Sequence, residues 1–101
     1  MNTRQKMYET NGKVRKYLIE GGFEEIYFFP HLRFMKDYNF KSQKFDGLGF
    51  KDKQIWFFQI KTNEKPSKKV MADYKILEAQ SYCKFIWLNC EKGVVKEYGT
   101  K

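Results

Sequence analysis

The chain has 101 residues and carries 20 lysine and arginine residues against 12 acidic ones, which gives a net charge of +8. Such a length supports one hydrophobic core, and the 19% aromatic content helps to fill it, so we expect a single domain over residues 1–101 and exclude a second. The apolar runs are short and the N-terminus is polar, which predicts no membrane span, no signal peptide and an intracellular, cytoplasmic protein. The basic excess predicts a polyanionic partner, with nucleic acid the default.

A first helix is predicted over Thr3–Glu20, a segment rich in helix-forming residues that ends at two consecutive glycines. Its apolar positions share one face: Met7, Val14, Tyr17 and Leu18.

The middle of the chain predicts three strands. Glu25–Phe34 is dense in aromatic and branched residues, and Phe45–Phe50 and Ile55–Lys61 are short apolar runs of the same kind. The polar segment between the last two can turn the chain at Asp52-Lys53. These two runs therefore pair most simply as an antiparallel hairpin.

A second helix and two more strands complete the pattern. Pro66 ends the preceding strand, and Ser67 is a candidate N-cap for a helical pattern that runs to Tyr82. Two strands then follow, a buried one at Phe85–Leu88 and a short last one at Val94–Tyr98.

The hairpin places polar side chains at one end of two apolar strands. Because successive side chains alternate faces, Gln59 and Lys61 point the same way. Phe58 and Ile60 then point into the core. The turn brings Asp46 opposite the Gln59 region, so that a carboxylate, an amide oxygen and an ammonium group converge at one edge.

These groups suit a divalent cation beside a phosphate. Mg²⁺ prefers oxygen ligands and keeps several waters, so its candidate ligands are the Asp46 carboxylate, the Gln59 amide oxygen and the Ile60 backbone carbonyl. Metal-bound water becomes a usable nucleophile near neutral pH. Lys61 is suited to positioning that water and to offsetting charge on the phosphoryl oxygens.

The motif of Asp46 followed by Gln59-Ile60-Lys61 resembles the PD-(D/E)XK nuclease superfamily. Its signature is Asp on one strand, then an acidic or amide residue, any residue and Lys on the next. Gln in place of the commoner Glu or Asp is similar to the variant of Mrr-type restriction enzymes. The predicted element order also matches the superfamily, so the resemblance implies an α/β fold with a restriction-endonuclease-like αβββαβ core, a mixed central sheet flanked by helices.

The same short motif also occurs by chance, which leaves a structural alternative open. In that alternative Asp46 belongs to a turn, Gln59 is a polar residue of an edge strand, and Lys61 is one of many solvated lysines.

The resemblance further implies a glutamate on the first helix beside the metal, as in archaeal Holliday-junction resolvases. Glu9 is a better candidate than Glu20, because it lies in the matching part of the helix relative to Gly22-Phe23. Both glutamates lie away from the apolar stripe, so a solvated side chain is the alternative for each.

Basic residues flank the proposed site along the sequence. Those expected to contact nucleic-acid phosphates are Arg33, Lys36, Lys41, Lys44, Lys65, Lys68 and Lys69. An ordinary solvated surface is the alternative. Tyr38 and Phe40 are interleaved with these lysines and could stack on unpaired bases, although a packed hairpin tip explains the same segment.

Cys83 and Cys90 bracket the buried strand and would lie roughly 23 Å apart along extended chain, beyond disulfide reach, so both are expected to be free thiols.

Three functions follow as expectations. The leading one is a Mg²⁺-dependent DNA endonuclease, with Mn²⁺ as a substitute, that hydrolyses phosphodiester bonds of duplex or branched DNA, as a junction resolvase does, without a small-molecule cofactor. Its small size implies a homodimer, with Tyr74 and Tyr82 as candidate interface residues and core burial as the alternative. The second function is nucleic-acid binding without cleavage, and the third is a protein-binding adaptor with a basic surface.

Overall fold

A computed structural model describes residues 3–29, 39–40 and 43–100. The elements in chain order are α1 (Thr3–Glu20), β1 (Glu25–Phe28), β2 (Asn39–Phe40), β3 (Gln43–Lys44), β4 (Gly47–Lys51), β5 (Gln54–Thr62), α2 (Lys68–Ser81), β6 (Lys84–Glu91) and β7 (Val94–Gly99). The first strand ends at Phe28, earlier than the predicted Phe34, and the rest of that predicted strand from Pro30 onward lies outside the described residues.

Five of the strands form one mixed sheet in the order β1-β4-β5-β6-β7. The pairs β1–β4, β4–β5 and β6–β7 are antiparallel, whereas β5 and β6 are parallel because α2 connects them as a crossover. The short β2 and β3 pair separately as a two-stranded sheet. The chain is thus a mixed α/β fold, and neither helix in the described part of the chain is long and apolar enough to span a membrane.

Local sequence signals set the ends of both helices. Gly22 follows α1 with φ +99°, a left-handed conformation that glycine adopts without steric cost. The Ser67 side chain accepts a hydrogen bond from the backbone N–H of Val70, which caps the first turn of α2 as predicted. At the other end of α2, Tyr82 takes the left-handed conformation at the C-cap.

The β4–β5 hairpin turns at the predicted dipeptide. Asp52 and Lys53 have φ values of 53° and 61°, so both central residues are left-handed, as in the type I′ turns that suit twisted hairpins. The pairing starts at Lys51 opposite Gln54 and reaches Gly47 opposite Phe58. This register determines which residues of β5 lie beside Asp46.

Helices cover the two faces of the sheet, and each face has its own core. On one face Val14 and Leu18 of α1 pack with Phe58 of β5 and with Ile86 and Leu88 of β6, all of them buried. The other face is covered by α2, and its buried residues are Phe45, Tyr74, Leu77, Phe85 and Trp87. Gln59 and Lys61 lie on this second face, because they alternate with Phe58 and Ile60.

Candidate functional site

Asp46 lies immediately before β4 and forms hydrogen bonds with its neighbours through both its backbone and its side chain. Its backbone N–H donates to the Phe58 carbonyl at 2.9 Å, and its backbone carbonyl accepts from the Phe29 N–H at 2.8 Å. Its Oδ2 atom accepts a hydrogen bond from the backbone N–H of Ile60 at 2.7 Å. The carboxylate thus binds the strand that carries Gln59 and Lys61, as the hairpin register predicts.

Gln59 is buried, with 4% of its surface exposed. Its Oε1 atom accepts a hydrogen bond from the hydroxyl of Tyr74, which reaches the sheet from α2. Burial and, to a lesser extent, the negative charge of Asp46 raise the pKa of the Tyr74 hydroxyl well above its usual range. The hydroxyl therefore stays protonated and donates to Gln59 across the physiological pH range.

Lys61 lies one pleat further along the same face and is half-buried. Its Nζ atom lies 5.9 Å from the centre of the Trp87 ring, a cation–π distance. The ring is held in turn, because the Trp87 indole N–H donates to the Glu64 carbonyl at 2.8 Å. An aromatic face attracts an ammonium group without opposing it with a full negative charge, as a carboxylate would.

Asn89 of β6, which follows Trp87 on the same sheet face, binds the loop after β5. Asn89 is 1% exposed, lies beside Lys61 in the parallel register, and accepts the backbone N–H of Glu64 at 2.9 Å through Oδ1. The Asn63 N–H donates to the Cys90 carbonyl at 3.0 Å. These bonds fix the start of the segment that leads to Lys65 and to α2.

Some of the predicted basic residues lie at the same end of the sheet as Lys61, and others lie outside the described residues. Lys65, Lys68 and Lys69 are exposed, and they lie in the loop after β5 and in the first turn of α2. Because α2 runs back along the sheet between two parallel strands, this first turn lies at the same sheet end as Lys61. Lys44 lies in β3, and three further predicted contacts lie outside the described residues: Arg33, Lys36 and Lys41.

Glu9 is not brought to the other candidate residues. It is exposed on α1, and this helix packs on the sheet face opposite Gln59 and Lys61. Among residues 3–29, 39–40 and 43–100, no three His, Cys, Asp or Glu side chains form a group that could hold a metal ion. The oxygen donors that the predicted motif itself supplies are the Asp46 carboxylate, the Gln59 amide and the Ile60 backbone carbonyl.

Three residues at the site are absent from the set of site residues predicted from the sequence: Tyr74, Trp87 and Asn89. Tyr74 has no exposed surface, so the alternative of core burial holds for it and the predicted place at a dimer interface is wrong, whereas Tyr82 is 92% exposed. The available signal for Asn89 is a polar residue directly after the apolar run Phe85–Leu88, since a buried amide in a strand needs a partner. Tyr38 lies outside the described residues, and Phe40 lies in β2.

Both cysteines are free thiols, as predicted, with Cys90 buried and Cys83 half-buried.

Comparison of the chain with protein-family models found no matching family, and a search of the curated proteins found no match.

Proposed function

We propose that this chain is a metal-dependent DNA endonuclease with a restriction-endonuclease-like core. The observation that carries the proposal is the hydrogen bond from the Ile60 N–H to the Asp46 carboxylate, which joins the two halves of the Asp…Gln-x-Lys motif at one sheet end. The element order supports it too, since helix, three strands of the main sheet, helix and strand occur in the order of that core.

The residues at this end fit a hard divalent cation such as Mg²⁺ or Mn²⁺. The Asp46 carboxylate and the Gln59 amide oxygen are oxygen donors of the kind that such a cation prefers. The N–H and C=O of a residue in an extended strand point to the same side, and the Ile60 N–H points to Asp46. The Ile60 carbonyl therefore lies on the Asp46 side of β5 as a third donor.

Each residue has a defined part in the proposed hydrolysis of a phosphodiester bond. The cation, when bound, supplies positive charge and an acidified water. Asp46 holds its position through its bonds to Phe58 and Ile60, so little reorganisation is needed on binding. Lys61, held over Trp87, stabilises the negative charge that develops on the phosphoryl oxygens.

The basic residues at the start of α2 suit the DNA backbone. Lys65, Lys68 and Lys69 are exposed at the sheet end that carries Lys61, so phosphates of one duplex can contact all of them. Binding through such contacts weakens steeply with salt. We also propose that the active form is a homodimer, since cutting two strands of duplex or branched DNA requires two sites.

The experiment that tests this function is a cleavage assay on labelled linear duplex, single-stranded DNA, RNA and a four-way junction, with Mg²⁺, Mn²⁺ or EDTA. The wild-type chain should cut DNA only with metal. Asp46→Asn keeps an oxygen that can accept the Ile60 N–H but removes the charge, so this variant should fold and should not cut. Lys61→Ala should also lose cleavage.

Lys96→Ala is the matched control for Lys61→Ala, because Lys96 is an exposed lysine on the last strand and pairs with Glu91 at 3.8 Å. It should cut as the wild type does. Cleavage that persists in Asp46→Asn, or that is insensitive to EDTA, would overturn the assignment of this site.

A second function, nucleic-acid binding without cleavage, is favoured by a different observation. The Asp…Gln-x-Lys motif supplies one carboxylate, that of Asp46, and the Gln59 oxygen that a cation needs already accepts a hydrogen bond from the Tyr74 hydroxyl. In that case the wild-type chain binds DNA in a salt-dependent manner but cuts no substrate with any metal. Sedimentation analysis with and without DNA would report the oligomeric state for either function.

A further inference from the structure

Tyr74 links the second helix to the proposed metal site. The side chain has no exposed surface, and its ring packs against Phe45 and Phe85 with centroid distances of 5.8 and 6.2 Å. A tyrosine held in this way has a fixed hydroxyl position, because only two side-chain torsions set it and both are locked by packing. That hydroxyl donates to Gln59 Oε1.

An amide ligand such as Gln59 must be held in one orientation, whereas a carboxylate presents an oxygen in either orientation. The Gln59 side chain is flexible, and the terminal amide can rotate to exchange its oxygen with its nitrogen. A cation binds the oxygen and is repelled by the NH₂ group. An amide oxygen has two lone pairs, so one can accept the Tyr74 hydroxyl while the other faces a ligand.

The Asp46 carboxylate lies beside Gln59, since it accepts the backbone N–H of the next residue, Ile60, at 2.7 Å, and the hairpin register pairs Gly47 with Phe58. We infer that Tyr74 is a positioning residue, whose hydroxyl holds the Gln59 amide oxygen in the orientation in which it and Asp46 bind one divalent cation. The inference rests on the proposed function, because it assigns a role within the same metal site. The inference also explains how a neutral Gln59 can serve as a ligand where Glu or Asp is commoner. The buried Tyr74 hydroxyl fixes the orientation of the amide, which burial alone would leave free to flip.

The test is direct Mn²⁺ binding to the purified chain, followed by electron paramagnetic resonance at a temperature well below unfolding. Tyr74→Phe removes the hydroxyl and keeps the ring, and we expect Mn²⁺ affinity to fall about tenfold, as for other residues that orient metal ligands. Tyr17→Phe is the matched control. Tyr17 packs on the opposite sheet face, so the control should leave Mn²⁺ affinity unchanged.

A double-mutant cycle establishes whether the effect passes through Gln59. In a Gln59→Ala background, Tyr74→Phe should change Mn²⁺ affinity no further. An equal loss in both backgrounds would overturn the inference, because Tyr74 would then act by another route. Unchanged or tighter Mn²⁺ binding by Tyr74→Phe would overturn it as well, since tighter binding means that the hydroxyl competes with the cation for the Gln59 oxygen.

Failure of the proposed function gives a different result from failure of the inference. Asp46→Asn must abolish the Mn²⁺ signal of the wild type if the cation binds at this site. If the wild type binds no Mn²⁺, or Asp46→Asn binds it equally well, the metal site itself is wrong and the role of Tyr74 falls with it. If Asp46→Asn loses Mn²⁺ and Tyr74→Phe keeps it, the site stands and the positioning role alone is wrong.

Discussion

The Asp46 carboxylate accepts a hydrogen bond from the Ile60 N–H at 2.7 Å, although the two residues are 14 positions apart in the sequence. β4 begins one residue after Asp46, so here a side chain takes the place that a main-chain acceptor has along the rest of the hairpin. The bond therefore completes the pairing of two strands and fixes a carboxylate at the end of one of them. A structural role and a proposed metal-binding role therefore fall on the same carboxylate.

The first prediction separates these two roles of Asp46. Asp46→Ala leaves the half-buried Ile60 N–H without its acceptor, so we expect the free energy of unfolding to fall by roughly 1–2 kcal/mol. Asp46→Asn retains an acceptor oxygen, so its free energy of unfolding should fall by about half as much or less. Urea denaturation of both variants measures the difference. Equal loss of stability in the two would show that charge, not the hydrogen bond, stabilises this strand end.

Local signals explain why so much of the fold follows from the sequence. Val14 and Leu18 recur at helical spacing and both are buried, and Ser67 caps the helix that follows Pro66 as its side-chain chemistry requires. The turn at Asp52-Lys53 determines the hairpin register and therefore the position of Asp46 beside β5. These features depend on residues that are close in the sequence.

The contacts that complete the site depend on tertiary packing instead. Tyr74 bonds Gln59 because α2 crosses over β5, and Trp87 lies under Lys61 because β6 pairs parallel to β5. Helical periodicity marks Tyr74 as apolar and inward but gives no partner for its hydroxyl. The exposure of Glu9, in contrast, follows from local periodicity alone. Its helical phase places it away from the buried stripe, and the structure shows it exposed.

A second prediction concerns Gly47, the residue after Asp46. A Cβ atom at this position would lie 2.5 Å from the Phe58 ring and closer still to the Tyr27 carbonyl oxygen. Since the carbonyl belongs to the paired strand β1 and cannot move aside, Gly47→Ala should destabilise the fold by about 3 kcal/mol or more. Gly12→Ala is the control, because Gly12 lies in α1 with nothing within 4 Å, and it should stabilise the chain by up to about 1 kcal/mol. Thermal unfolding of the two variants measures the difference. An unchanged melting temperature for Gly47→Ala would contradict the predicted clash with the Tyr27 carbonyl.

A third prediction concerns the two thiols. Burial raises the pKa of the Cys90 thiol, against a smaller opposite effect from the positive charge of Lys13. Only the thiolate reacts with alkylating reagents, so Cys90 should stay protonated and unmodified at neutral pH. Its reaction should begin at a higher pH than is usual for cysteine. Half-buried Cys83 should be modified first.

Mass spectrometry of the folded chain after timed alkylation between pH 7 and pH 9.5 measures both rates. Cys83→Ser leaves Cys90 as the one thiol and isolates its pH profile. Modification of Cys90 at the rate of an unfolded control at pH 7 would show that the core around β6 is open.

The last prediction tests whether Trp87 holds Lys61. A lysine ε-methylene group over an indole face is shielded by the ring current, so the Lys61 ε-proton resonances should lie upfield of those of solvated lysines. Trp87→Leu should return them to the solvated position, whereas Phe85→Leu removes a comparable ring from the same strand and face and should leave them shifted. Lys51 lies 5.4 and 5.5 Å from the Phe23 and Trp56 rings, so its shielded resonances serve as an internal reference for an intact fold. Lys61 resonances that do not respond to Trp87→Leu, in a spectrum where Lys51 stays shielded, would show that the ammonium group is held by something other than the indole.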